Sequence, residues 1–566
     1  MHQPSTEPRP SLYYRYRVHA PWLPSADARA QRCTVAIVGS GPAGLVCALQ
    51  LAQLGVASTV LTSELQVSQG SRAIVFTRRT LEILQQVGVA QRVAQEGLSW
   101  RFGNSYYRGQ RVFRMEAPHD EDERWAPMTN LQQQILEEFL LDACAQQPLI
   151  ELRWGNRVCG IEPQPDGAVL QVDTPEGEYA LQADWVVAAD GGRSGLRSAL
   201  GLQMEGASYE GLFVIADIRI DLPFPTERRA YFDPDWNPGN TILMHREPKG
   251  IWRVDYQLSA GETPEEALQP ASMRQRIDAQ LAMVGHAGAP WEMDWCSVYS
   301  ARTLTLPRYV HGRVLFAGDA AHLLPIFGVR GANTAFQDAQ ALGWQLALVA
   351  RGIAGPALLD SYSAERVGAA REIIDEAGKS TRFMAPPSRG FRLLRNAVLS
   401  LSLTQEFVRP LYHWRTSRPH AYTDSALNAP GDDDHLFTAG PGHGAPPRNV
   451  RLGADAYLLD ILGPCFTLLV AVSRVADSAL AGSVQEVVAR WRARGLPLQV
   501  VAVGAEAAPA DAELALPDED GRLRACWGME GERAAYLLRP DQHICARWLA
   551  LDASRLDAAL RAAVPQ

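Results

Sequence analysis

The stretch RVLFAGDAAHLLPIFGVRGANTAFQDAQALGWQLALV, residues 313–349, decides the fold of this chain. It opens with a short apolar run that predicts a buried strand, and Gly318 and Asp319 follow at the carboxyl end of that strand. A loop rich in proline and glycine, from Pro325 to Gly331, leads into a helix predicted to begin near Ala332. Because open α/β sheets bind ligands outside the carboxyl ends of their strands, this order predicts a ligand site.

The predicted helix has an apolar stripe at alternating spacings of four and three residues, formed by Ala335, Ala339, Leu342, Leu346 and Val349. Its first turn offers free backbone N–H groups and the positive end of the helix dipole to a ligand atom with partial negative charge. The Asp319 carboxylate accepts hydrogen bonds only, which suits it to the hydroxyl groups of a sugar chain.

This stretch resembles the "GD" motif of the class A flavoprotein monooxygenases, the aromatic-ring hydroxylases of the para-hydroxybenzoate hydroxylase fold. The resemblance implies that Asp319 holds the ribityl chain of FAD and that the start of the helix faces the pyrimidine edge of the flavin. The FAD-binding residues implied in this stretch are Gly318, Asp319, Pro325, Gly331, Ala332 and Asn333.

A second motif lies near the N-terminus, where the β-branched strand 34–38 runs into GSGPAGL, residues 39–45. Helical spacing follows up to Gly55, a C-cap position, and the next strand is predicted over residues 58–61. This order is the dinucleotide-binding fingerprint, since the glycines let the backbone approach a pyrophosphate at the helix N-terminus. The cofactor-binding residues predicted here are Gly39, Gly41, Pro42, Ala43 and Gly44.

The contact to the adenosine ribose departs from the usual pattern. An acid usually closes the second strand and binds the ribose, but Thr62 stands at that position. Either Glu64 reaches back to the ribose, or the hydroxyl groups of Thr62 and Ser63 take its place.

Three further residues match the family. Arg72, in QGSRAIVF, matches an arginine that lies against the FAD pyrophosphate. Gln133 lies on a helix predicted over residues 129–144 and either matches the glutamine that contacts the ribityl chain or is a surface amide. Asp190 follows an apolar strand, residues 185–189, and opens DGGRSGLR, which resembles the family's "DG" motif near FAD, linked to NAD(P)H use.

Residues 204–308 alternate between polar and apolar positions, which is typical of antiparallel strands, and the resemblance makes them the sheet that covers the substrate. The candidates for side chains that face the flavin are Tyr231, His245, Arg253, Tyr256 and Tyr299. His245 is expected to take a phenolic proton, and Arg253 to bind an anionic substituent, with Tyr231 and Tyr299 as further catalytic candidates. For each of them, packing in the sheet is the alternative.

These patterns predict an α/β protein with a Rossmann-type FAD-binding domain, an interleaved antiparallel substrate domain and a C-terminal domain that resembles the thioredoxin-like domain of phenol hydroxylase. The last has no CxxC, so we expect it to serve packing or homodimer formation instead of dithiol chemistry. The predicted segments are an N-terminal arm (1–32, packed or mobile), the FAD domain (33–203 and 309–425), the substrate sheet (204–308), a linker (426–454) and the thioredoxin-like domain (455–566).

Composition excludes several classes of protein. The chain has 566 residues and a net charge of −9 without a basic run, which argues against nucleic-acid binding. It lacks an uninterrupted apolar stretch of about 18 residues, so no membrane span is expected. Its eight cysteines have no metal-ligand spacing, and we expect reduced thiols in a cytoplasmic protein. Asp432–Asp434 with His435 are read as a solvated loop, and no metal is expected.

The resemblance is closest to the branch of the 3-(3-hydroxyphenyl)propionate and phenol hydroxylases. It implies that FAD, reduced by transiently bound NADH or NADPH, reacts with dioxygen to a C4a-hydroperoxide that hydroxylates a small phenolic substrate. A flavin-dependent halogenase is disfavoured, because the WxWxIP segment of that class is absent. An oxygenase of the same fold acting on a polycyclic or polyketide substrate, and a non-enzymatic flavoprotein, remain open.

Overall fold

The structure is a computed structural model of the whole chain, and it describes residues 1–24, 30–259, 261–325, 328–412, 418–475, 477–529, 531 and 533–566. Residues 25–29 of the predicted arm and residues 326–327 of the loop before the GD-motif helix lie outside the described residues.

The described strands are β1 (Ala30–Val38), β2 (Ser58–Thr62), β3 (Val75–Thr77), β4 (Leu98–Trp100), β5 (Phe102–Tyr107), β6 (Gln110–Glu116), β7 (Met128–Asn130), β8 (Ile150–Trp154), β9 (Arg157–Gln164), β10 (Gly167–Thr174), β11 (Gly177–Ala188), β12 (Glu205–Arg219), β13 (Arg228–Phe232), β14 (Thr241–Glu247), β15 (Ile251–Gln257), β16 (Glu292–Thr305), β17 (Val310–His311), β18 (Val314–Phe316), β19 (His322–Leu323), β20 (Phe466–Ala471), β21 (Leu498–Val503), β22 (Leu514–Leu516), β23 (Ala535–Leu538) and β24 (Ile544–Trp548).

The described α-helices are α1 (Pro42–Gln53), α2 (Arg78–Gln86), α3 (Ala90–Glu96), α4 (Gln133–Ala145), α5 (Gly195–Ala199), α6 (Pro264–Ala267), α7 (Pro270–Met283), α8 (Gly331–Ala350), α9 (Ala357–Met384), α10 (Arg389–Leu401), α11 (Leu458–Ile461), α12 (Gly482–Ala493), α13 (Arg522–Trp527) and α14 (Ala553–Ala563). Among the described residues, none of these helices is both long and apolar enough to cross a membrane.

The predicted fold class is confirmed. The first sheet has a parallel core in the order β18-β11-β1-β2-β8, with α1 and α8 packed together beside it. Its central strands are apolar and buried, as expected for a parallel sheet covered on both faces. The antiparallel strand β17 pairs with β18, and the hairpin of β9 and β10 joins through β11.

The second sheet has the order β19-β16-β12-β15-β14-β13-β5-β6 and is interleaved with the first along the chain. It includes β5 and β6, which precede the predicted substrate segment 204–308. One face packs α7 over an apolar cluster that contains Val214, Val254 and Ile277. The other face is turned toward the FAD domain. The predicted domain boundaries stay a prediction.

One element differs from the prediction of a helix over residues 129–144. Thr129 and Asn130 belong to β7, the middle strand of the small sheet β3-β7-β4, and the helix begins only at Gln133. β7 pairs with β3 and β4, so its backbone N–H and C=O groups form hydrogen bonds in a sheet instead of a helix. Tertiary context therefore decides the local structure.

The N-terminal arm is packed over its described residues 1–24. His2 lies 2.6 Å from the carbonyl oxygen of Ser63, and the backbone N–H of Arg9 donates to the side chain of Gln66 at 2.9 Å. Of the two alternatives left open by the sequence, the packed arm is the one observed.

The C-terminal sheet, β22-β21-β20-β23-β24, is fixed to the FAD domain by buried polar contacts at the turn between β23 and β24. Arg539 donates to both carboxylate oxygens of Glu365 on α9, at 2.6 and 2.9 Å, and to Asp541. Asp541 accepts from the indole N–H of Trp344 on α8 at 3.0 Å. The C-terminal domain is therefore bound to the two long helices that follow the GD motif.

Two of the linker acids that were expected to lie in a solvated loop have arginines as partners. Asp433 pairs with Arg555 at 3.1 Å, and Asp434 pairs with Arg547 at 2.6 Å. These contacts fix the linker to the C-terminal domain.

We expect Arg539→Met to destabilise the protein by about 3–5 kcal/mol, because it leaves two buried carboxylates without their cation. The measurement is the urea midpoint of unfolding. Arg474→Met, which removes an exposed ion pair with Glu506, is the control and should leave the midpoint unchanged. Equal midpoints for both variants would contradict a buried charge network.

Candidate active site

Four strands of the first sheet end at the same edge. Val38 pairs with Leu61 and with Ala188, and Ala188 pairs with Phe316, so the ends of β1, β2, β11 and β18 are in register. The GxGxxG loop, the segment after β2, the DG motif and the GD motif follow these ends directly. Elements far apart in sequence thus form one site at the edge where parallel sheets bind ligands.

The GxGxxG loop has the backbone that its glycines permit. Gly39 has φ +114°, and a Cβ there would collide with the carbonyl of Ala189. A Cβ on Gly44 would collide with the carbonyl of Gly39, so the helix packs close to the strand. A Cβ on Gly41, the N-cap of α1, would meet open space, and Pro42 and Ala43 begin the helix. The free N–H groups of α1 therefore face room for an anion.

The GD motif leaves the side chain of its aspartate accessible. Gly318 and Ala320 are buried, whereas Asp319 between them is exposed. Burial by the surrounding protein nevertheless raises the pKa of Asp319, while His322 and Arg72 oppose that rise. Arg72 is itself exposed, and its contact with the FAD pyrophosphate stays a prediction.

Asp338, on α8, binds the backbone of the GD motif. Its carboxylate accepts from the backbone N–H of Gly318 at 3.0 Å, from Nε2 of His322 at 2.6 Å and from Nε of Arg366 at 2.6 Å. The side chains of Asp338, His322 and Arg366 are fully buried. Burial alone would raise the pKa of Asp338, but His322 and Arg366 outweigh it and lower this pKa to about 2. Asp338 is thus ionised at neutral pH.

The DG motif is fixed to the GD motif. Asp190 accepts from the backbone N–H of Leu196 at 3.1 Å, which caps α5. Arg197 donates to the carbonyl groups of Ala320 at 3.0 Å and of Gly192 at 2.7 Å. Arg197 therefore ties the two motifs together.

Two candidate amides contact protein groups. Oδ1 of Asn333 accepts from the backbone N–H of Thr77 at 2.8 Å and from the hydroxyl of Thr80 at 2.6 Å. Oε1 of Gln133 accepts from the backbone N–H of Ala73 at 3.0 Å. Both amides position the segment around Arg72. Among the other candidates in the GD stretch, Gly331 and Ala332 are partly exposed and Pro325 is buried.

The residues after β2 contact the N-terminal arm. Glu64 pairs with Arg9 at 2.9 Å, and the carbonyl of Ser63 is the partner of His2. Thr62 is buried. Glu64, the acid nearest to the expected ribose position, is therefore already paired with Arg9.

Three of the five substrate-side candidates lie on the face of the second sheet that is turned toward the FAD domain. His245 pairs with Arg253, which pairs with Asp217 on β12, so these side chains share a face. Tyr299 lies two rows away on the same face, and its hydroxyl donates to the carbonyl of Leu324 beside the GD motif at 3.3 Å.

Tyr231 and Tyr256 lie on the opposite face. Both belong to the apolar cluster under α7, and Tyr231 stacks on Tyr106 with ring centroids 5.0 Å apart. The Tyr231 hydroxyl accepts from Arg229 at 2.8 Å. Because side chains alternate along a strand, Tyr256 cannot share a face with its odd-numbered neighbour Arg253.

The charge of Arg253 is already compensated. Its Nε donates to Asp217 at 2.8 Å, and its NH2 group donates to the hydroxyl of Ser71 at 2.7 Å. Glu247 lies 3.5 Å from the same guanidinium. His245 is also buried, and burial together with the positive charges of Arg228 and Arg253 lowers its pKa well below the usual value.

The prediction from sequence missed several residues of the site. Asp338 falls three residues after Ala335 on the apolar stripe of α8, and a lone acid on such a stripe is a signal of a buried ion pair. Asp255 shares the face of Arg253 by strand alternation. Asp217 and Arg366 gave no comparable signal.

This donor set suits a flavin dinucleotide. The glycine-lined N-terminus of α1 can bind a pyrophosphate, Arg72 adds a cation, and the exposed Asp319 carboxylate can accept from the hydroxyls of a ribityl chain.

Comparison with known proteins agrees with this geometry. The family model described as FAD binding domain matches residues 32–377. The 3-(3-hydroxy-phenyl)propionate/3-hydroxycinnamic acid hydroxylase of Mycolicibacterium smegmatis is 27% identical over 533 residues, which are 93% of this chain and 92% of the relative.

Solved structures share the fold over nearly the whole chain. The flavin-dependent monooxygenase PieE, in complex with FAD and substrate, superposes with a TM-score of 0.78 at 23% identity, covering 94% of this chain and 99% of PieE. The anhydrotetracycline hydroxylase OxyS from Streptomyces rimosus gives a TM-score of 0.68 at 26% identity, covering 95% and 100%.

We expect Asp319→Ala to weaken FAD binding by roughly 1–3 kcal/mol, or about 5- to 150-fold in Kd, because a sugar hydroxyl loses its acceptor. Titration of the apoprotein with FAD, followed by quenching of flavin fluorescence, measures this change. An unchanged Kd would show that Asp319 does not contact the cofactor.

We expect Asp338→Asn to weaken FAD binding as well, although Asp338 lies behind the GD motif, because Arg366 is left without its counter-ion. The lowered pKa of Asp338 means that its stabilisation is complete above its unfolded value of about 4 and is lost as pH falls toward about 2. The contribution of Asp338 to FAD binding by native protein should therefore be lost only in that acidic range, whereas the variant should bind FAD more weakly already at pH 7. Asp360→Asn, an exposed acid on α9, is the control.

Proposed function

Because this chain belongs to the FAD binding domain family, we propose that it is a monooxygenase that uses FAD, NADH or NADPH and dioxygen to hydroxylate a phenolic ring. One observation carries the proposal: the cofactor edge of the first sheet lies against the polar face of the second sheet. Hydroxylases align with the chain over both of these parts.

On the cofactor side, the N-terminus of α1 and Arg72 would hold the pyrophosphate of FAD, and Asp319 would hold its ribityl chain. When bound, FAD supplies the electron transfer and the activation of dioxygen. The protein orients the ring of the substrate and excludes water, which would otherwise compete for the reactive oxygen.

On the substrate side, His245 and Tyr299 are polar groups of the face toward the cofactor. His245 is neutral at pH 7, because its pKa is lowered, and its Nδ1 has no hydrogen-bond partner among the described residues. Burial and the charge of Asp319 raise the pKa of Tyr299 to about 12, so its hydroxyl stays protonated. Since that hydroxyl donates to the carbonyl of Leu324, it can accept a hydrogen bond from a substrate hydroxyl.

A neutral, larger phenol is a second candidate substrate. The relatives include hydroxylases of carboxylate-bearing phenylpropanoids and a hydroxylase of anhydrotetracycline. Arg253, the cation expected to bind a carboxylate, is compensated by Asp217 and buried beside Glu247. This balance of charge favours a substrate without a carboxylate at that end of the site.

The test measures NADH and NADPH oxidation by the FAD-loaded protein with a panel of phenols, while peroxide and products are assayed in parallel. The panel pairs 3-(3-hydroxyphenyl)propionate with neutral resorcinols and polycyclic phenols. We expect a neutral phenol to accelerate the oxidation of NADH or NADPH at least about tenfold, an effect well below the largest that orientation of reactants can give. The product should contain one oxygen atom more than the phenol.

Two outcomes would contradict the proposal. Stoichiometric peroxide with every phenol would indicate an oxidase, and oxidation that no phenol changes would indicate a flavoprotein without this activity. Asp319→Ala, incubated with the same phenols, controls for reactions that free FAD catalyses.

A further inference from the structure

The middle row of the second sheet is covered only in part, since Leu243 is buried beside the end of α9 whereas its neighbours Asp255 and Ile215 keep partial exposure. On the face toward the FAD domain, Asp255 on β15 lies between Leu243 on β14 and Ile215 on β12. Asp255 and Ile215 are partly exposed, although they occupy the middle of an eight-stranded sheet. Side chains that keep exposure at such a position line a cleft.

The rows on either side bound this cleft. In the outer row, Thr241 donates to the carbonyl of Met384 at 2.7 Å, and Phe213 packs in the same cluster as Met384, so the end of α9 covers that row. In the inner row, Arg253 donates to the carbonyl groups of Ser71 and Arg72. The cleft therefore opens between α9 and the segment that carries Arg72.

Asp255 is the acid of this cleft that lacks a partner. Its Oδ1 is buried and has no hydrogen-bond partner among the described residues, and none of the ion pairs found there includes it. The nearest cation, Arg253, is bound by Asp217 at 2.8 Å. The titratable or charged groups on the surrounding strands and the Arg72 segment are Asp217, Arg228, His245, Glu247, Arg253, Tyr299 and Arg72.

We propose that Asp255 is a catalytic residue that accepts the proton of the substrate's phenolic hydroxyl. The proposal rests on the proposed hydroxylation. The O–H bond of the phenol breaks, the proton passes to a carboxylate oxygen of Asp255, and the electron pair stays on the phenolate oxygen. No electron is transferred in this step, and the proton returns to water after the product leaves.

The acidity of Asp255 suits this task. Burial raises its pKa to about 7; Asp217 adds to this rise, while Arg253 and Arg228 oppose it. A general base is most effective when its pKa lies near the working pH. His245, the base expected from sequence, is less basic because burial and two arginines lower its pKa.

The same carboxylate sets the substrate class. An ionised acid without a bound cation favours a hydroxyl donor beside it and repels a substrate carboxylate. We therefore assign to this cleft a phenol whose reacting hydroxyl points at β15 and whose nearby substituents are neutral.

The experiment compares native holoenzyme with Asp255→Asn between pH 6 and pH 9, using neutral phenols that stay protonated over most of this range. For native protein, kcat/KM should fall about tenfold from pH 8 to pH 6, because the carboxylate that accepts the proton becomes protonated. Asp255→Asn should lose about 100-fold in kcat/KM and show no fall over this interval. Its FAD content should equal that of native protein.

Two further variants separate chemistry from structure. Asp255→Glu keeps the base and should restore the pH dependence with a shifted midpoint. Asp221→Asn, an exposed acid just beyond β12, should behave like native protein at every pH.

Binding is measured separately from turnover, through the change in flavin absorption when a neutral phenol is added to the oxidised holoenzyme. Binding to native protein should weaken as pH falls from 8 to 6, and binding to Asp255→Asn should not change. If binding to native protein weakens in this way but turnover yields only peroxide, the assignment of Asp255 stands and the proposed hydroxylation is contradicted. The assignment is overturned if phenol binding to native protein does not weaken between pH 8 and pH 6, or if binding to Asp255→Asn still weakens.

Discussion

The site depends on one buried carboxylate. Asp338 accepts hydrogen bonds from the loop after β18, from His322 and from Arg366, so a single group joins the parallel sheet, α8 and α9. In a low-dielectric interior such a charge persists only when several donors surround it, and here three do. The direction in which Asp319 presents its carboxylate follows from this arrangement.

The second sheet divides its chemistry between two faces. Apolar and aromatic side chains pack under α7, whereas Asp217, Arg253 and Asp255 are turned toward the FAD domain. Most of these charges compensate one another, as Arg253 and Asp217 do. Polarity along the sheet is therefore mainly structural, and Asp255, the partly exposed acid without an ion pair among the described residues, is the group to which we assign chemistry.

Local patterns were sufficient to predict the cofactor edge, because each motif combines a strand end, a glycine turn and a helix start within about a dozen residues. The substrate face was harder to predict, because it depends on strand register. In IWRVDYQ, Arg253 and Asp255 share one face of the sheet. Because side chains alternate along a strand, Tyr256 lies on the other face and cannot face the cofactor. The partners of Asp338 and Arg539 come from distant segments and could not be found by local reasoning.

The contacts around Arg539 also bear on how the chain matures during synthesis. Glu365 leaves the ribosome 174 residues before the arginine that pairs with it. At about 5–20 residues per second, that separation amounts to roughly 9–35 s. Throughout this interval α8 and α9 contact water where the turn between β23 and β24 later packs. The nascent protein therefore passes through a form in which Glu365 is exposed, which the finished protein lacks.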